Sequence, residues 1–126
     1  MKRIFSILLI VSVALIAGCY YDSEEKLYPV ISTSCDLTNV TYSVTVKAIL
    51  QSSCYTCHSN SNYLNSGGGI KLENYADVLT VVQSGQLMGS VKHLSGFKPM
   101  PQGGGKLNDC EISQLQKWID NGKLNN

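Results

Sequence analysis

The sequence predicts an all-α fold of short helices joined by long loops. Three segments place apolar residues at helical spacing, and no segment alternates apolar and polar residues as a half-buried strand does. Two further segments, 60–69 and 96–106, are rich in glycine, proline or polar residues and therefore predict loops. Helices this short are marginal in isolation, so we expect them to pack around something large and apolar.

The predicted helices span 45–53, 74–83 and 108–121. The last of them has the clearest local pattern, because Asn108 is a favourable N-cap residue and Glu111 stands three positions later, which is the spacing of a capping box. An apolar stripe at helical spacing runs along its length, formed by Ile112, Leu115, Trp118 and Ile119.

The chain has 126 residues, enough for one compact domain, and a formal net charge of +1. Removing the two basic residues at positions 2 and 3 leaves 8 Lys and Arg against 9 Asp and Glu, a net charge of −1. The sequence has no basic stripe and no recognition helix. It therefore argues against a nucleic-acid partner.

A basic pair precedes an apolar run over 4–17. This run is shorter than the roughly 20 residues needed to cross a bilayer, so it predicts the hydrophobic part of a signal peptide, residues 1–18. It ends in Ile16-Ala17-Gly18-Cys19, which resembles the lipobox of bacterial lipoproteins. The resemblance implies cleavage before Cys19 and lipidation of its thiol. An ordinary signal peptide with an incidental Cys19, or a signal anchor, is the alternative.

Residues 19–42 are polar, show no sustained helical period, and predict a tether with an extended lead-in to a domain over 43–126. The lipoprotein resemblance implies an exported protein anchored to a bacterial membrane and facing the periplasm or the cell surface. Tyr20 stands where an Asp marks inner-membrane retention in some bacteria. The outer membrane is therefore favoured.

Cys54-Tyr55-Thr56-Cys57-His58 has the C-x-x-C-H spacing of covalent c-type haem attachment. In a helix, both thiols lie on one face, where they can add to the two haem vinyl groups, and His58 can then bind the iron. A thioredoxin-like dithiol would need a βαβ setting, and a zinc site would need a second pair of ligands. We expect one haem c, held by Cys54 and Cys57, with His58 as an axial ligand.

Residues from about 43 to 124 resemble class I (mitochondrial-like) c-type cytochromes, especially the single-haem domains of exported bacterial proteins. The C-Y-T-C-H motif, the loop K-P-M-P-Q-G-G over 98–104 and the helix that contains Trp118 carry this resemblance. It implies a small class I cytochrome c-like fold, with short helices and long loops around one haem. In this family a methionine in an M-P-x-G-type loop binds the iron, and Met100 occupies that position.

The residues alone leave alternatives for this second ligand. Met100 lies between Pro99 and Pro101, which restrict the backbone and lower the entropy cost of presenting the sulfur. Met88 and His93 are the other side chains of the mature chain that could bind iron. A methionine near a helix more often fills the core, and a lone histidine is more often a hydrogen-bonded surface residue.

Two cysteines depart from the family pattern. Cys110 lies in the first turn of the last predicted helix, and Cys35 lies about ten residues before the first. The first and last helices of class I cytochromes cross and pack, so a Cys35–Cys110 disulfide is geometrically reasonable in an oxidising compartment, and we expect this pairing. Two buried free thiols are the alternative.

The resemblance implies an electron-transfer protein that is not an enzyme. Its partners would be the membrane, through the lipid, and redox proteins such as a respiratory complex, a reductase or an oxidase. The sequence has no paired carboxylates and no evident nucleophile–base pair. The alternative is a haem enzyme, or a haem module that binds or senses small ligands through a labile sixth position.

Overall fold

The computed structural model describes residues 35–126. This part of the chain is all-α, because no β-strand occurs within it. A π-helical turn, Tyr42–Val46, continues directly into the first α-helix. The five α-helices of this described part are α1 Lys47–Ser53, α2 Tyr55–His58, α3 Tyr75–Gln83, α4 Gln86–Val91 and α5 Asp109–Asp120.

The predicted signal peptide 1–18, the predicted lipidation site Cys19 and the tether as far as residue 34 lie outside the described residues. The remaining part of the predicted lead-in, 35–42, packs on the domain. Val40 and Tyr42 are each 6% exposed. Apolar side chains of this part of the lead-in are therefore buried in the core of the compact unit, Cys35–Asn126.

A disulfide joins Cys35 to Cys110, with 5.2 Å between the two Cα atoms. The structure thus contains the expected pairing of the lead-in with the first turn of α5. A hydrogen bond from Gln114 Nε2 to the Asp36 carbonyl, 3.1 Å long, lies beside it. Together these two links hold the start of the compact unit on the N-terminal half of the last helix.

The three predicted helices are confirmed within a few residues. The first begins earlier than expected, at Tyr42, where the Thr41 hydroxyl accepts a hydrogen bond from a backbone amide of the first turn. The last has the predicted capping box: Asn108 Oδ1 accepts from Glu111 N at 2.9 Å, and Glu111 Oε2 accepts from Asn108 N at 3.0 Å. Helix α4 was not predicted, because six residues are too few to establish a helical period.

Helix α5 packs against the π-helical turn and against α4, and α3 packs against α4. An aromatic cluster lies at the first of these contacts: the Tyr42 ring meets Tyr75 edge-on at 5.0 Å and lies 5.6 Å from Trp118. Among residues 35–126, the largest fully buried side chains are Trp118, Leu50, Leu115, Val46 and Val78.

Candidate functional site

A cavity of about 300 Å³ opens between α2, the loop that follows it, α4 and the loop around Met100. This volume lies at the lower end of the range for small-molecule and cofactor pockets, about 300–1,000 Å³. The predicted attachment and ligand residues are all in its lining, which also includes aliphatic side chains. The lining residues used below are Cys54, Cys57, His58, Ile70, Ser90 and Met100.

The two thiols come from the short break between α1 and α2 and from α2 itself. The Cys54 amide closes α1 by donating to the Leu50 carbonyl at 2.8 Å, and Cys57 follows one turn later. Both thiols are free and half-buried. Burial, with smaller effects of Glu111 and Cys57, raises the pKa of Cys54 to about 11. Cys54 is therefore a protonated thiol at neutral pH, whereas thioredoxin-like dithiols depend on a lowered pKa.

His58 ends α2 and is 8% exposed. Its Nδ1–H donates to the Ile70 carbonyl at 3.0 Å, and its own carbonyl accepts from the Leu72 amide at 2.9 Å. The first bond fixes the tautomer, so that Nε2 keeps its lone pair. A carbonyl partner on the other ring nitrogen is the usual arrangement of a metal-binding histidine.

Gly67 explains how the polar loop after α2 stays close to the attachment motif. A Cβ at this position would lie 2.6 Å from the Cys57 carbonyl oxygen and 2.8 Å from Tyr63 Cα. Only glycine permits this approach. The loop therefore packs directly on the backbone of α2, and Ile70 reaches the position where its carbonyl accepts from His58.

Met100 reaches the same cavity from a distant part of the chain, and its side chain is half-buried. Its amide donates to the Ser90 carbonyl at 3.1 Å. Its carbonyl accepts a hydrogen bond from His93 Nε2 at 3.0 Å. Both backbone polar groups of Met100 are thus held by residues at the end of α4.

The other two ligand candidates lie elsewhere. Within residues 35–126, the cavity lining includes neither Met88 nor His93. Met88 is partly buried against the hydrophobic core, and His93 is exposed with its ring bonded to the Met100 backbone. The arrangement therefore brings together two thiols, one imidazole with a free Nε2 and one thioether.

Three supporting groups were not foreseen from the sequence. They are the Ile70 carbonyl, which orients His58, the Ser90 carbonyl, which holds the Met100 amide, and the His93 ring. The first two are backbone atoms, so no residue type marks them. His93 was considered only as an iron ligand, because its bond to Met100 depends on the fold of the intervening loop.

Residues 35–126 contain no group of three or more His, Cys, Asp and Glu side chains placed to hold a metal ion. In the same range, no helix has both the length and the apolar composition needed to cross a membrane. Comparison of the chain with protein-family models, with curated proteins and with solved structures finds no match in any of the three.

Proposed function

We propose that this protein is a single-haem c-type cytochrome that transfers electrons while tethered to a bacterial membrane. The observation that carries the proposal is the shared cavity. Cys54, Cys57 and His58 line it from one segment, and Met100 lines it from another segment more than 40 residues away. A methionine thioether and a histidine imidazole are the axial ligands of cytochromes c.

The chain's residues fit a covalently attached haem. The Cys54 and Cys57 thiols would each add across one vinyl group, forming a thioether, and within residues 35–126 neither is engaged in a disulfide. His58 would bind the iron through Nε2, because its Nδ1–H is already donated to Ile70. The bound haem would supply a one-electron Fe(III)/Fe(II) couple.

Met100 supports electron transfer over catalysis. As a sixth ligand it would occupy the coordination position that a substrate needs, and a thioether favours ferrous iron, which raises the potential. The backbone bonds to Ser90 and His93 hold it at the cavity. The packing of the π-helical turn on α5 further supports a class I cytochrome c-like fold.

The membrane tether forms part of the same proposal and rests on the lipobox-like residues that end at Cys19. Two or three acyl chains anchor a protein stably, whereas a single chain does not. With the anchor on Cys19, the domain would be exported and would face the periplasm or the cell surface. Its redox partners would be proteins of a respiratory complex, a reductase or an oxidase.

An optical redox titration of the holo-protein and of two methionine variants tests the proposal. Met100→Ala should lower the reduction potential and bind cyanide more tightly, because it opens the sixth position. Met88→Ala is the matched control, since Met88 packs against the core, and it should keep the wild-type spectrum. Rapid cyanide binding and peroxide turnover by the wild type would contradict the proposal of an electron carrier and favour a haem enzyme or a ligand-binding module.

A further inference from the structure

The residue that follows the C-cap of α4 is unusual for its position in a helix end. Its last helical residue is Val91, its C-cap is Lys92, and the next position is His93. The His93 amide donates to the Ser90 carbonyl at 3.2 Å, and the Leu94 amide donates to the Gly89 carbonyl at 2.9 Å. These two bonds form a Schellman motif, whose C′ residue adopts the left-handed conformation and is usually glycine.

Two other helices of the protein follow that preference. Gly85 is the C′ residue of α3 with φ +74°, and Gly122 is the C′ residue of α5 with φ +96°. His93 holds the corresponding position of α4 with φ +56°. A non-glycine residue in this region is strained, and such strain is found at functional sites.

The His93 side chain has a partner that explains why glycine is absent. Its Nε2–H donates to the Met100 carbonyl at 3.0 Å, while the Met100 amide donates to Ser90. The ring therefore ties the loop after α4 back to the end of that helix. Phe97, in the same loop, lies over Gly89 so closely that a Cβ there would meet its ring.

We propose that His93 is a positioning residue, which holds the Met100 backbone so that the thioether stays at the cavity. The inference rests on the proposed role of Met100 as an iron ligand. His93 itself binds no iron and lies outside the cavity lining. Its imidazole acts through one hydrogen bond, and the strained backbone at position 93 places the ring within reach of the Met100 carbonyl.

His93→Gly separates this role from a purely structural one. Glycine adopts positive φ without steric cost, so the variant should keep the wild-type melting temperature to within a few degrees. Loss of the ring frees the Met100 backbone. We expect cyanide to bind the ferric holo-protein roughly two- to fivefold more tightly, the lower part of the range for losing one hydrogen bond, because this bond is exposed. The sulfur-to-iron absorption band should weaken accordingly.

Two variants complete the experiment. Lys123→Gly is the matched control, because Lys123 is the other described non-glycine residue with positive φ, at +57°, and follows α5. It should leave cyanide affinity unchanged. His93→Gln supplies an N–H donor near the position of Nε2 and should restore affinity towards the wild-type value.

The outcomes distinguish the inference from the proposed function. Wild-type cyanide affinity and spectrum in His93→Gly, with a clear effect of Met100→Ala, would overturn the positioning role alone. No effect of Met100→Ala would overturn the ligation itself and the inference with it. An equal change in Lys123→Gly would show that relaxing any strained helix end alters the site, and this too would overturn the inference.

Discussion

Replacing both Cys35 and Cys110 by serine should destabilise the domain by a large and measurable amount. The bridge joins residues 75 positions apart, and the chain-entropy relation gives about 4 kcal/mol for a loop of that length. In a domain of this size, 1 kcal/mol shifts the melting temperature by roughly 4–8 °C. The double variant should therefore melt roughly 15–30 °C lower, measured by far-UV circular dichroism.

The proposed haem provides an internal comparison. Covalent attachment at Cys54 and Cys57 would link residues only three positions apart inside the same loop, so the loss of stability should be of similar size in the holo-protein and in the apo-protein. Thiol counting on denatured, unreduced holo-protein should find no free cysteine. Two titratable thiols in the wild type would show that the disulfide is absent. A shift in melting temperature below about 5 °C in both the holo-protein and the apo-protein would refute the stability assigned to the disulfide.

Three further variants test separate parts of the structure. Tyr42→Phe should raise the free energy of unfolding by about 1–3 kcal/mol in chemical denaturation, because the buried Tyr42 hydroxyl has no hydrogen-bond partner within residues 35–126. Burial raises the pKa of Tyr42 to about 12, so this tyrosine ionises at lower pH in the unfolded chain than in the folded one. The free energy of unfolding of the wild type should therefore fall between about pH 10 and pH 12. The corresponding fall in Tyr42→Phe should be smaller. Gly89→Ala should displace Phe97 and cost about 1–3 kcal/mol by overpacking; an unchanged melting temperature would contradict this. Cys19→Ala should move the protein from the membrane to the soluble fraction and abolish lipid labelling. Unchanged fractionation would show that another segment of the chain anchors it.

Helix α5 illustrates what the sequence could predict. Its start depends on Asn108 and Glu111, which interact within one turn, and its buried stripe follows from local periodicity. The C-x-x-C-H motif is equally local. Such features need only residues a few positions apart, so a single sequence was enough to place them.

Features that depend on distant contacts were harder to predict. The lead-in around Tyr42 joins the core only because α5 and Tyr75 supply a surface for its ring. His93 acquires its partner from the course of the loop as far as Met100. Neither arrangement leaves a periodic pattern, and the glycine preference at a helix end would have suggested a different residue at position 93.

Intact-mass measurement of the denatured, unreduced protein tests covalent haem attachment most directly. The wild type should have the mass of the mature chain with its modifications plus one haem, retained after denaturation and extraction with acidified ketone. Met88→Ala, at a residue outside the cavity lining, should retain the same added mass. Replacing Cys54 and Cys57 together by alanine should remove it. A wild-type chain that releases all of its haem on extraction would contradict the account.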